Sequence, residues 1–180
     1  MTPSTYRRGA AGVPIRFTTV DSAVGRLLIA ATTRGVCLVS MGRSDAELQA
    51  LLRREYPGAV LTRDSGGLSQ WARQVLDHLG GRVPRLDLPL DIQATAFQWN
   101  VWDALTAIPA GSTRTYAEVA AAIGRPGAAR AVARACASNP VALAIPCHRV
   151  VPAAGGVGGY RWGTSRKQAL LAQERRGRQM

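Results

Sequence analysis

Between residues 13 and 41 the apolar positions fall into three short runs, VPIRFTTV, VGRLLIAAT and GVCLVSM. Asp-Ser and Thr-Arg-Gly turn signals separate them, so the pattern predicts an antiparallel meander. At residue 45 the period changes. In DAELQALLRRE, residues Leu48, Leu51 and Leu52 share one stripe of a helix. YPGAV breaks that helix, and LSQWARQVLDHLGG predicts another, stopping at a glycine pair suited to a C-cap. VPRLDLPLDIQ, with two prolines, reads as a final edge strand and linker. Residues 1–92 are therefore expected to form a small mixed α/β domain around an antiparallel sheet.

Beyond residue 92 the pattern is helical. Thr95 and Gln98 predict a capping box for a helix with Phe97, Val101, Leu105 and Ile108 on one face. Thr115 and Glu118 predict a second box, opening TYAEVAAAI. GRPG then turns into AARAVARACAS, where Ala129, Val132, Ala133 and Cys136 are the expected packed stripe. Arg130 and Arg134, four residues apart, share another face. Helix, short glycine-containing turn and helix outline a helix-turn-helix, although many such hairpins never touch DNA. Next come AIPCHRVV, read as an extended strand, and the loop PAAGGVGGYRWG. The loop's glycine spacing does not fit a dinucleotide fingerprint. Ser165 and Gln168 predict a third capping box, for SRKQALLAQERR with Leu170 and Leu171 inward. The fold class expected is α+β, residues 93–180 forming a mainly helical domain. Glu174 falls in the C-terminal half of the last helix, against the helix dipole, as a carboxylate with a separate task would.

Charge adds a partner. Lys plus Arg outnumber Asp plus Glu by 23 to 11, and all the basic residues but Lys167 are arginine. That excess suits a polyanion, of which nucleic acid is the commonest. Three cysteines (37, 136 and 147) and two histidines (78 and 148) give neither a disulfide framework nor zinc-ligand spacing. A reduced cytoplasmic protein without metal or other cofactor is expected. No apolar run reaches membrane-spanning length. Cys147, His148 and Arg149 then interrupt a stretch that otherwise reads as buried. Free Cys is commonly a core residue, but a thiol beside an imidazole also suits nucleophilic chemistry.

PCHRV, with Asn139-Pro140 upstream and GYRWG-SRK downstream, resembles the O6-alkylguanine-DNA alkyltransferases, or methylated-DNA–protein-cysteine methyltransferases. The resemblance covers nearly the whole chain and is densest in TAFQWNVWDAL, TYAEVA, AARAVARACASNP, IPCHRVV and LLAQE. It is closest to the C-terminal half of the bacterial adaptive-response regulators. It implies a single-turnover repair protein, nucleoid-associated and monomeric, that needs no cofactor. Such a protein moves an alkyl group irreversibly from O6-alkylguanine, and from O4-alkylthymine, to Cys147. It implies that His148 is the base, acting through a water, and that Glu174 orients the imidazole. Asn139 would tie the recognition helix to the active-site segment. Tyr116 would donate to the leaving guanine. Thr115, Ala129, Arg130 and Arg134 would meet double-stranded DNA in the minor groove, largely without regard to sequence, with Arg130 replacing the flipped nucleotide. Ala142, Val150, Tyr160, Arg161 and Trp162 would line the substrate pocket. The indole of Trp162 at its mouth and the small Ala142 would favour methyl over benzyl adducts.

There are departures from the pattern. The N-terminal zinc-ligand set of some family members is missing, so no metal is expected. Residues 1–9, MTPSTYRRG, resemble the tail of an AraC-type domain or a linker, as in an excised half or a split fusion. Two alternatives use the same residues: a Cys–His hydrolase, and a lesion-binding or transcriptional module without chemistry.

Overall fold

The computed structural model describes residues 2–177. The chain divides into two compact units, residues 1–93 and 94–180.

In the first unit, a short helix α1 (Pro3–Arg7) precedes β1 (Pro14–Ser22), β2 (Gly25–Ala31) and β3 (Val36–Gly42). These three strands pair antiparallel, Ser22 facing Gly25 across the first turn. Helix α2 (Asp45–Glu55) follows, capped by Ser44, whose hydroxyl accepts the Glu47 N–H. Its buried Leu48 and Leu52 pack with Ile15, Phe17, Leu28, Ala30 and Leu38. A fully buried Leu or Ile contributes about 1.5–3 kcal/mol, so this cluster is what makes the sheet stable. Tyr56 closes it, donating its hydroxyl to Cys37 O at 2.9 Å. Helix α3 (Ser69–Leu79) buries Ala72, Val75 and Leu79.

Two features of this unit depart from the sequence pattern, and a third is one on which that pattern is silent. Val60–Arg63 forms a fourth strand, β4, parallel to β1, so the sheet is mixed and runs β3-β2-β1-β4. Its residues are mostly exposed, and so give no apolar alternation to detect. Residues 83–93 form no strand; Leu90 makes a single bridge to Val36. Pro84 and Pro89 remove the donors that a ladder requires. The chain nonetheless crosses Gly35 so closely that a Cβ there would collide with Pro89 O. Finally, residues 9–12 are built into the unit. Gly9 O accepts from Gly58 N, Gly12 N donates to Gly58 O, and Ala10 is wholly buried.

The second unit contains α4 (Ala96–Thr106), α5 (Tyr116–Ala122), α6 (Ala129–Ala137) and α7 (Thr164–Gly177). Both halves of the Thr95–Gln98 and Thr115–Glu118 capping boxes are formed. The Ser165–Gln168 box is not, because α7 already includes Thr164 and Lys167 N bonds back to Gly163 O. Helix α4 buries Val101, Trp102 and Leu105, with the Trp102 indole donating to Ala135 O at 3.0 Å. That contact turns α6 so that Ala135 is buried with Val132 and Cys136, while Ala129 and Ala133 are only half-buried. The expected strand at 144–151 is also different. Cys147–Arg149 is a turn of 3-10 helix, and only β6 (Val150–Val151) is extended, parallel to β5 (Arg114–Thr115).

Candidate active site

Asn139 and Cys147 sit where α6 gives way to the 3-10 turn. Asn139 is wholly buried just past the end of α6. Its side-chain N–H groups reach Ile145 O at 2.8 Å and Cys147 Sγ at 3.3 Å, and its Oδ1 accepts Val141 N at 2.9 Å. One amide thus folds residues 139–147 around the thiol. Leu143 within that fold has φ of 71°, a left-handed conformation costly for a branched side chain. Ala142 is also fully buried there.

Burial pushes the Cys147 thiol up to about 11, against the downward pull of the Asn139 amide and the Lys167 and Arg161 cations. The resting sulfur is therefore protonated at neutral pH and requires a base to become a nucleophile. The 3-10 turn supplies one from the next residue. His148 is fully buried, its Nε2 lying 2.8 Å from Glu174 Oε1. With the carboxylate accepting from Nε2–H, Nδ1 is the basic nitrogen of the neutral ring.

Arg149 binds the same carboxylate through Nε (3.1 Å to Oε1, 3.2 Å to Oε2) and Nη2 (2.8 Å to Oε1). Its Nη1 donates to Ile108 O at 2.6 Å. Gly111 N adds a bond to Glu174 Oε2 at 3.0 Å. Burial would raise the Glu174 carboxyl, but the hydrogen bonds from His148, Arg149 and Gly111 outweigh it and hold the group at about 2. Lys167 is a second buried cation, and the sequence reading gave it no part in the site. It is wholly buried, with Nζ on Val150 O at 2.6 Å and Gly159 O at 3.2 Å. Burial lowers its pKa.

Around this centre lie the other expected residues. The Tyr160 ring meets His148 edge-on at 6.5 Å and Trp162 at 5.1 Å. The Tyr160 hydroxyl is buried and finds no hydrogen-bond partner among the described residues. Trp162 is 5% exposed and packed, with the Arg161 guanidinium 5.7 Å above its ring. Arg161 Nη1 also bonds Asn139 O at 3.1 Å. Tyr116 is half-buried; burial raises its hydroxyl, with the Cys136 and Cys147 sulfurs adding to the effect. Val150 is fully buried. Thr115 caps α5, while Arg130 and Arg134 project into solvent from α6, without an ion pair among the described residues. No three His, Cys, Asp or Glu residues among those described could hold a metal, and no helix is long and apolar enough to cross a membrane.

Residues 96–176 match the family model described as 6-O-methylguanine DNA methyltransferase, DNA binding domain. The methylated-DNA–protein-cysteine methyltransferase of Mycobacterium tuberculosis is 39% identical over 163 residues, covering 89% of this chain and 93% of that protein. The chain belongs to the methylated-DNA–protein-cysteine methyltransferase family. A crystal structure of the M. tuberculosis protein (OGT) in complex with DNA aligns with a TM-score of 0.76 at 37% identity, covering 90% of this chain and 94% of that one. The bifunctional transcriptional activator/DNA repair enzyme Ada of Escherichia coli is 45% identical over 174 residues. That match covers 97% of this chain but 49% of Ada, so the chain spans about half the length of this relative.

Pattern reading noted Arg149 beside the thiol without finding its partner, and gave Lys167 no part in the site. The Arg149 signal was present in PCHRV, but its target lies 25 residues on. Lys167 stands out as the only lysine in an arginine-rich chain.

Proposed function

We propose that this protein repairs DNA by irreversible transfer of a methyl or other small alkyl group from O6-alkylguanine, and from O4-alkylthymine, to Cys147. The single observation that supports this most is the buried cluster itself: a protonated thiol held by Asn139, beside an imidazole oriented by a fully ionised Glu174. His148 takes the thiol proton through an intervening water. The sulfur attacks the alkyl carbon, the carbon–O6 bond breaks, and its electron pair stays on the base. Tyr116 donates a hydrogen bond to the guanine ring as that charge develops. A thioether forms, whose carbon–sulfur bond thiol exchange does not cleave, so each molecule acts once.

Helix α6 carries the DNA reading. Its exposed Arg130 and Arg134 among small alanines suit close approach in the minor groove, with Arg130 filling the space of the flipped nucleotide. Thr115 and Ala129 border the same surface. The protein acts as a monomer on cytoplasmic, nucleoid DNA. The test is to mix the protein with duplex DNA carrying O6-methylguanine, digest it, and measure S-methylcysteine. One methyl per molecule is expected on the Cys147 peptide, and none with Cys147→Ser, which should still bind DNA. Sustained turnover, or binding without transfer by the unaltered protein, would refute the proposal.

A further inference from the structure

The buried charges around the base do not stop at a Cys–His–Glu arrangement. Side chains of His148, Arg149 and Glu174 are 1%, 6% and 14% exposed. Glu174 Oε1 accepts from both the imidazole and the guanidinium at 2.8 Å. Alone against the ring, a buried carboxylate would hold a proton on it, since an imidazolium–carboxylate pair leaves no net charge in the interior. Here the guanidinium already balances the carboxylate. A protonated ring would add an uncompensated buried cation, which the interior disfavours. The other groups around the ring leave this balance in place. Cys147 is a neutral thiol at rest, Tyr160 presents its ring edge-on, and Lys167 is on backbone carbonyls of Val150 and Gly159. The loop after helix α4 contributes Ile108 O to Arg149 and Gly111 N to Glu174.

We propose that Arg149 is a positioning residue which cancels the charge of Glu174, so that His148 rests as a neutral imidazole able to accept the Cys147 proton. The inference rests on the alkyl-transfer reading above and adds the component that sets its base. During the reaction the proton arriving on the ring is balanced by the thiolate it leaves behind, while Arg149 keeps Glu174 ionised and in place. Removing the guanidinium would give the full carboxylate charge to the ring. The ring would then be protonated before substrate arrives and unable to accept the thiol proton.

The experiment is the pH dependence of methyl transfer from O6-methylguanine duplex, together with the ring-nitrogen NMR shifts of His148. His78→Asn leaves His148 as the single histidine, so its signals are unambiguous. The ring should be neutral at pH 7, with the proton on Nε2. In Arg149→Gln the rise of the rate with pH should move up by about one unit or more, a tenfold change in proton affinity. Arg149→Lys, which keeps the charge but not the fork, should restore most of that position. Slowed transfer with an unmoved pH limb in folded Arg149→Gln would reduce Arg149 to a structural brace and overturn the proposal. So would an imidazolium at pH 7 in the Arg149 protein, a measurement that stands even if Arg149→Gln fails to fold. Absence of transfer at every pH would count against the alkyl-transfer reading instead, because the ring's charge is read separately.

Discussion

The two units handle charge in opposite ways. Residues 1–93 hold twelve of the 23 basic residues and eight of the 11 acidic ones, whereas residues 94–180 hold eleven basic and three acidic. In the first unit most arginine–acid pairs lie at or near the surface, the buried Asp91 beside Arg34 being the exception. Asp45 takes Arg26 and Arg63, Asp64 takes Arg16, and Asp77 takes Arg82. Such exposed pairs are worth roughly 0–1 kcal/mol each, so they solvate the unit more than they stabilise it. In the second unit one of the three acids, Glu174, is drawn inside to serve His148 and Arg149 together. Arg130 and Arg134 are left on the surface of α6 with no carboxylate partner among the described residues. The same arginine-rich composition therefore makes a scaffold whose charge is largely offset by its own acids in one half. In the other it makes a buried charge cluster and leaves Arg130 and Arg134 exposed on α6.

The largest expected effect breaks the cluster. Glu174→Gln strands a buried guanidinium and should destabilise the second unit by about 3 kcal/mol. Asp45→Asn, although it also serves two arginines, should cost about 1 kcal/mol or less, because that pair is wetter. Urea unfolding of both variants makes the comparison. The pH dependence carries the same sign. Glu174 lies at about 2 against an ordinary 4.5, so its stabilisation is complete above about pH 4.5 and is lost as pH falls through about 2. Glu174→Gln should flatten that acid limb, and an unchanged limb would mean that Glu174 is not held as described. Arg130→Ala comes next. It should slow transfer from duplex DNA by roughly ten- to a hundredfold, consistent with an unstacking cost of a few kcal/mol. The free base O6-methylguanine, which needs no flipping, should react nearly as before. Equal slowing on both substrates would contradict the role.

The helical half was readable from sequence where a local rule fixes the element. The Thr95–Gln98 and Thr115–Glu118 boxes are such cases, each satisfied within four residues. The meander of β1 to β3 was readable for a similar reason, since its strands are short apolar runs separated by short turns. What failed was set at a distance. Strand β4 shows no pattern of its own and exists because β1 offers an open edge. The turn at Cys147–Arg149 is shaped by Asn139, eight residues before the thiol, rather than by strand propensity. The Ser165 cap lost to a start one residue earlier. In the site, Cys147, His148 and Glu174 carry a motif, whereas the pairing of Arg149 with Glu174 and of Lys167 with two carbonyls is tertiary geometry. Trp162 shows both sides. Its place beside the candidate pocket came with the motif, but only the structure packs it against Tyr160 under Arg161.

That packing sharpens the expectation about adduct size. Overpacking costs about 1–3 kcal/mol, so a benzyl adduct that must displace the indole should react about tenfold or more slowly than its methyl counterpart. Trp162→Gly should raise the benzyl-to-methyl rate ratio by about tenfold, while also lowering stability because a packed indole is lost. A drop in stability with no change in ratio would place Trp162 in the core alone.

The smallest effect tests the contrast between the units most directly. Each phosphate contact on duplex DNA adds about 0.9 to the slope of log affinity against log salt. Arg134 sits on α6 with no acid partner among the described residues, so Arg134→Ala should reduce that slope by about one such increment. Arg63 lies in the first unit with its guanidinium on Asp45 at 3.1 Å. A phosphate would have to displace that carboxylate, so Arg63→Ala should leave the slope where it was. The two variants remove the same charge from the same chain, and both keep the net charge strongly positive. If affinity followed net charge alone they would behave alike. A slope reduced equally by both would erase the distinction between a largely charge-offset unit and a DNA-facing one, and a slope reduced by Arg63→Ala alone would reverse it.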